Sequence, residues 1–485
     1  MAEENLKHKT LKGVGWSATN SFLSQGVSFI IGIILARLLG PGDYGMIGMA
    51  MIVITILNTF VDSGFSTALV RKTDVADDEY NTMFYVNLGV SIIAYGILFV
   101  AAPLVSRFFD LEITAIIRLL GLTIIINSLA IVQGTILTKK VDFKTSTIAS
   151  AYSSIIGGIV GICAAFLGCG VWALVVQNLV SSIVNVVALW SMNRWRPSWK
   201  FSRNSLRYMW GFGSRMLLSS LLNQTWQQIY QIVVGKFYNP STLGQYSRAK
   251  HYAAFLTQNI TVVVQRVSFP TLANIQNEEE RMVAIYRRII KTTMFVTAIC
   301  VFALGAVSVP LIYCMIGEAW LEAASYLPLI CISMSLYPLH VINLNMLQIQ
   351  GRSDLFLYLE IIKKIISIGP ICLGIFVSIR WMLIGTIITG IIGYFLNSYY
   401  TGKKLHYTSW MQIKDVAPSY GIAILVALSV YFFRYLPLSY FIILPIQIVM
   451  GLSVFFVICE MTKPDEYIEL KSIAVDAIHK YRRNE

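Results

Sequence analysis

The chain has 485 residues, of which 56% are hydrophobic and only 13% charged, and its mean hydropathy is +0.66. Charges this sparse cannot cover a water-facing surface, which excludes a soluble globular domain. The formal net charge of +13 finds its reason in membrane topology and anionic headgroups; no basic tract is long enough, or interleaved with aromatics, for nucleic acid.

About fourteen apolar stretches run from Leu11 to Glu460, separated by short polar connections. A helix rises about 1.5 Å per residue, so a hydrocarbon core about 30 Å thick takes roughly 20 residues. Ser17, Asn20, Ser21, Ser24 and Gln25 interrupt the first stretch, which therefore does not read as a cleaved leader. Phe84 to Leu104, Thr293 to Gly317 and Phe441 to Cys459 are unbroken spans. The expected fold is an all-α polytopic membrane protein.

Basic residues collect on alternate connections. They are Lys7, Lys9 and Lys12; Arg71 and Lys72; Lys139, Lys140 and Lys144; Arg194, Arg196, Lys200, Arg203 and Arg207. The series continues with Arg281, Arg287, Arg288 and Lys291; Arg352, Lys363 and Lys364; Lys403, Lys404 and Lys414; and a tail with Lys463, Lys471, Lys480, Arg482 and Arg483. Short basic loops stay in the cytoplasm, so both termini are expected there and the number of spans is even. In the tail, Leu470, Ala474, Ile478 and Tyr481 share one helical face, which predicts an amphipathic helix on the inner leaflet.

Shifting the chain by 199 residues sets Gln25 on Gln224, Arg37 on Lys236, Pro41 on Pro240, Gly45 on Gly244 and Ala50 on Ala249. An even number of spans per copy makes the repeats parallel. The repeat predicts two pseudo-symmetric six-helix lobes, residues 1–200 and 201–404, joined through the basic segment from Asn193 to Trp210. Residues 405–460 form a further helix pair and 461–485 a cytoplasmic tail.

Polar residues inside the spans carry the functional signal. On span 7, Arg215, Ser219, Asn223, Trp226 and Tyr230 recur at spacings of three and four, flanked by Ser220, Gln224, Gln227, Gln228 and Gln231. Span 1 carries Asn20, Ser21, Ser24, Gln25 and Ser28, and span 8 carries Gln258, Asn259, Gln265 and Arg266. Such groups find no water among lipids, so they face one another through interhelical hydrogen bonds or line a wet cavity. For Arg215 and Arg266, each about a turn inside its span, a cavity that takes an anion is the expectation. Arg37, Lys236 and Lys250 are placed at the outer mouth as interface anchors. The seven cysteines and five histidines show no pairing or metal-ligand spacing, so neither cofactor nor metal is expected.

The run Ile34-Leu35-Ala36-Arg37-Leu38-Leu39-Gly40-Pro41-Gly42-Asp43-Tyr44-Gly45 resembles the signature of bacterial polysaccharide flippases in the multidrug/oligosaccharidyl-lipid/polysaccharide exporter superfamily. So do Phe60-Val61-Asp62-Ser63-Gly64-Phe65-Ser66-Thr67-Ala68-Leu69 and Val141-Asp142-Phe143-Lys144. The resemblance implies that an undecaprenyl-pyrophosphate-linked oligosaccharide is moved across the bacterial inner membrane by alternating access. It also implies a cationic cavity, a lipid-tail groove formed with the last two spans, and membrane lipids, a glycan polymerase and glycosyltransferases as partners.

No GxxxxGK[ST] motif is present, so the driving force would be an ion gradient, the membrane potential or consumption of the product. Asp62, Glu360 and His340 read as structural polar residues rather than a proton relay. A membrane glycosyltransferase or glycan polymerase would need larger outer loops bearing acid/base residues. A drug exporter of the same superfamily would carry cations, which the arginines disfavour.

Overall fold

The structure, a computed structural model, describes residues 25–472 apart from 63 and 277, together with Val475, and all regular structure there is helical. Its contacts divide into two compact units, residues 1–244 and 245–485, a boundary one helix later than the seam expected from the repeat.

The first unit holds α1 (Gln25–Leu38), α2 (Pro41–Asp62), α3 (Phe65–Arg71), α4 (Asp77–Phe108), α5 (Thr114–Lys139), α6 (Phe143–Phe166), α7 (Val171–Met192) and α8 (Arg203–Phe237). The first turn of α9 (Pro240–Asn274) also belongs to it. Helix α5 is its core: Ile117, Leu120, Ile124 and Val132 are wholly buried among α2, α3, α4 and α7. Helices α6 and α7 pack through small residues. A Cβ on Gly157 would lie 1.9 Å from Ser181 Oγ, and one on Gly158 would lie 2.2 Å from Ile31 of α1. Lipid tails are as apolar as the helices, so close backbone approach and dispersion replace the hydrophobic effect as the adhesive.

The second unit comprises the rest of α9, then α10 (Glu279–Ala306), α11 (Ser308–Ile316), α12 (Leu321–Ser335), α13 (Tyr337–Ile349), α14 (Ser353–Ile366) and α15 (Ile368–Phe376). It continues with α16 (Ile379–Leu405), α17 (Ser409–Tyr431), α18 (Tyr440–Thr462) and a short helix α19 over 465–472. Met282, Tyr286, Ile290 and Met294 of α10 form its core with Leu339, Ile342 and Met346 of α13 and Tyr394 of α16. A polar knot sits inside this core. The Tyr286 hydroxyl donates to Asn343 Oδ1 at 2.9 Å, and Asn343 Nδ2 donates to Gln412 Oε1 at 3.1 Å.

Ten helical segments among the described residues are long and apolar enough to cross a membrane. Outside these ten lie α1, α8 and α9, the last two with 35 residues each but many polar side chains, and α14 and α15, parted by Ser367 alone.

One expectation needs revising. Lys363 and Lys364, counted above with a basic loop, lie inside α14. The break in hydropathy there is not a break in the helix, because lysine is a good helix former and Lys363 bonds to Glu360 one turn back.

In the tail, Leu470 and Tyr467 pack with Phe295, Ile422, Val426 and Cys459 of α10, α17 and α18. Arg288 pairs with Glu469 at 2.8 Å and Lys291 with Glu466 at 2.9 Å. Ala474, Ile478 and Tyr481 lie outside the described residues.

Candidate functional site

The signature run builds a helix start. Pro41 occupies the first turn of α2, where its missing N–H costs nothing, and Asp43 Oδ2 accepts from the Gly40 N–H at 3.1 Å. Its repeat mate opens α9 with Pro240, capped by Asn239, whose Oδ1 accepts from Thr242 N at 2.8 Å. The two starts meet reciprocally. A Cβ on Gly45 would lie 1.8 Å from the Pro240 carbonyl oxygen, and one on Gly244 would lie 2.0 Å from the Pro41 carbonyl oxygen. Glycine is required at both because backbone meets backbone. Beside them Lys236 pairs with Asp110 at 2.7 Å and rests 5.3 Å from the Phe108 ring centre, so its charge is already compensated. Arg37 ends the adjacent α1 and has interactions of its own.

Helix α8 is held at its two ends. Met209, Val233 and Val234 are buried there, whereas none of the described side chains from Ser214 to Ile232 is. Ser219, Asn223 and Gln227 are exposed and Gln224, Trp226 and Tyr230 half-buried on this free stretch. Among the described residues, the side chains of Ser219, Asn223, Gln224 and Gln227 make no hydrogen bonds. No interhelical hydrogen bond among the described residues consumes these amides. Arg215 stands on the same helix; its side chain is outside the description, as is Asn20 altogether. Gln25 is exposed on α1, which packs on α6 through Ser28 and Ser154 at 2.9 Å, so the span 1 and span 7 stripes sit on different partners. In the second unit Arg266 is exposed on α9 and forms no ion pair among the described residues.

The structure adds two arginines that charge counting had assigned to topology. Arg203 and Arg207, one turn apart at the start of α8, line a cavity of about 670 Å³ with Asn204, Val86 and Trp210. Neither forms an ion pair among the described residues. The spacing of four was the legible signal, hidden because the segment read as a loop. That segment is itself pinned to the first unit. Asn81 Oδ1 accepts from Ser198 N at 2.8 Å, and Arg196 donates to the carbonyls of Asn193 and Trp190 at 2.7 Å each. An apolar cavity of about 230 Å³ lies elsewhere, between α10, α12 and α17, lined by Phe302, Pro328, Cys331, Ile424 and Tyr431.

Comparison with known proteins agrees with this arrangement of helices. The family described as polysaccharide biosynthesis protein matches residues 34–325. The chain belongs to this family. It is similar to the succinoglycan biosynthesis transport protein ExoT of Rhizobium meliloti (strain 1021), 24% identical over 389 residues that cover 79% of this chain and 78% of that one. It also resembles the lipopolysaccharide biosynthesis protein WzxC of Escherichia coli (strain K12), 21% identical over 404 residues and 81% of each chain.

Among solved structures, lipid II flippase MurJ in an inward closed conformation superposes with a TM-score of 0.76 at 15% identity, over 93% of this chain and 99% of that one. An inward-facing multidrug resistance transporter of the MATE family superposes at 0.61 with 18% identity, over 79% and 96%. This member of the polysaccharide biosynthesis family is thus a multi-pass helical membrane protein whose fold is that of these two solved structures.

Proposed function

We propose that the chain flips an undecaprenyl-pyrophosphate-linked oligosaccharide across the bacterial inner membrane by alternating access. In this reading it has fourteen spans, with lobes 1–200 and 201–404, and both termini are cytoplasmic. The observation that carries it is the stripe of Ser219, Asn223, Gln224 and Gln227 along the middle of α8, whose side chains make no hydrogen bonds among the described residues. A pyrophosphate and a glycan shed their water at prohibitive cost unless side chains replace it. Amides and Trp226 suit sugar hydroxyls and rings, and guanidinium forks suit phosphate.

Arg215 is assigned as the main pyrophosphate contact and Arg266 as its partner, with Asn20, Gln25, Ser219, Asn223, Gln224, Trp226, Gln227 and Tyr230 toward the glycan. Arg203 and Arg207 offer the anion its first contact, and the apolar cavity beside α17 suits an acyl or prenyl chain. Arg37 and Lys236 belong to the outer mouth. A polymerase and glycosyltransferases are the expected neighbours in the membrane.

Two observations favour a carrier over an enzyme. Curated relatives include a transport protein, and no connection between described helices is longer than residues 193–202, which leaves little room for a loop of acid/base residues.

The test is complementation of surface glycan display with protein levels matched. Arg215→Ala abolishes most display, Arg215→Lys retains part of it, and Arg266→Ala is impaired, because losing a charge-assisted bond costs about 1.5–3 kcal/mol. Wild-type display in both alanine strains refutes the assignment.

A further inference from the structure

The second unit holds a titratable cluster that the glycan pathway does not use. His340 lies on α13, within the membrane-crossing segment Glu318–Ile349. Its Nδ1 is 3.1 Å from Nδ2 of Asn397 on α16. The Lys363 side chain of α14 lies near the same point, since a Cβ on Gly393 would sit 3.5 Å from His340 Cε1 and 3.4 Å from Lys363 Cδ. Lys363 bonds to Glu360. Ionisable groups at this depth are costly and persist where they serve transport of charge.

The hydrogen bonds are incomplete in an informative way. An amide nitrogen only donates, so Nδ1 of His340 is the acceptor and the ring is neutral. That leaves Asn397 Oδ1 buried with no partner among the described residues. A buried acceptor without a donor is destabilising. Protonation of Nδ1 replaces the lone pair with an N–H. An amide N–H facing that N–H would set donor against donor, so the Asn397 amide makes a half-turn that presents Oδ1 to it, and the amide NH2 takes the place that Oδ1 leaves.

We propose that His340 is a proton-binding site within the membrane, read by rotation of the Asn397 amide. The groups facing it define its balance. Lys363 opposes the added charge, and Glu360, paired with Lys363, offsets that opposition. The nearby phenols are already engaged, Tyr286 of α10 with Asn343 and Tyr394 of α16 with the Ser409 carbonyl. One turn on, the Thr401 hydroxyl of α16 ties the two helices, donating to the Asn397 carbonyl at 3.1 Å and reaching the Asn343 carbonyl of α13 at 3.3 Å. The site would couple a proton gradient to the movement of substrate, and this step rests on the transporter reading above.

Two experiments test it, the first independent of any substrate. The full chain, labelled at histidine Cε1 and reconstituted in lipid nanodiscs, is titrated by NMR from about pH 4.5 to about pH 8.5. The His340 signal among the five histidines is identified by its loss in His340→Gln. It should move with pH, and Asn397→Leu should weaken proton binding about tenfold, a midpoint lower by about one pH unit. If that variant does not fold, Asn397→Asp should raise the midpoint instead. A signal that does not titrate, or a midpoint indifferent to residue 397, overturns the proposal.

In cells lacking their own flippase, wild-type display should fall at least about threefold as external pH rises from about 6 to about 8. His340→Gln, which still accepts from Asn397 but cannot titrate, should give a flat profile at matched protein level. A slope equal to wild type overturns the proposal. Absence of display with the wild-type chain counts against the transport function instead, while the titration still decides the proton site.

Discussion

Replacing Gly45 by alanine tests the reciprocal contact of the two helix starts. The new methyl would lie 1.8 Å from the Pro240 carbonyl oxygen, against an ordinary contact of about 3.5 Å, so α2 and α9 must part by about 1.7 Å. Overpacking costs about 1–3 kcal/mol, and the upper end applies because the neighbour is backbone rather than a side chain that can swing away. The better helix propensity of alanine returns about 1 kcal/mol. The net loss is about 2 kcal/mol, or a folded-to-unfolded ratio about 30-fold lower.

Gly244→Ala should cost the same. The double variant should cost less than both singles together, since one separation relieves both clashes. Gly42→Ala is the control: nothing lies within 4 Å of its Cβ position, so it should be neutral or slightly stabilising. Reversible unfolding by SDS in mixed micelles measures all four. A Gly45→Ala protein as stable as wild type, or a Gly42→Ala protein equally damaged, refutes the reasoning.

Asn343→Leu strands the Tyr286 hydroxyl and the Gln412 amide inside the second unit, and should cost about 2–3 kcal/mol in the same assay, with Tyr286→Phe restoring part of it. The Arg288–Glu469 pair is largely exposed and worth about 0–1 kcal/mol, whereas Glu466 opposite Lys291 is buried, so Arg288→Ala with Lys291→Ala should cost about 1–3 kcal/mol, most of it from the stranded carboxylate. The double variant should also make the segment after Thr462 cleavable by protease at physiological salt. The Tyr407 hydroxyl is held above its ordinary range by burial and by its 2.7 Å bond to Asp415. Its stabilisation is complete below its unfolded value of about 10 and is lost as pH rises toward the folded value. Tyr407→Phe should therefore flatten the alkaline limb of the thermal-stability profile, and an unchanged limb would count against that bond.

Much of this protein is decided along the chain. Hydropathy places the helices, because a segment that must satisfy its backbone without water has no alternative to a helix. The proline and glycine positions of the repeat are also local information: proline fixes the first turns of α2 and α9, and glycine marks where something must approach. What approaches was not legible. That Gly45 meets the carbonyl of Pro240 and Gly244 that of Pro41 follows only from folding two distant helix starts onto one another.

Charge showed the same limit. A list of basic residues orients the chain, but it cannot tell Lys236, neutralised by Asp110 from another connection, from Arg203 and Arg207, left open to a cavity. It placed Lys363 in a loop where the helix runs on. The polar stripe of α8 could be read from spacing, but whether its amides were consumed by a neighbouring helix depended on tertiary packing. The orphaned acceptor of Asn397 beside His340 belongs to the same class, since 57 residues separate the partners and only the meeting of α13 and α16 brings them together.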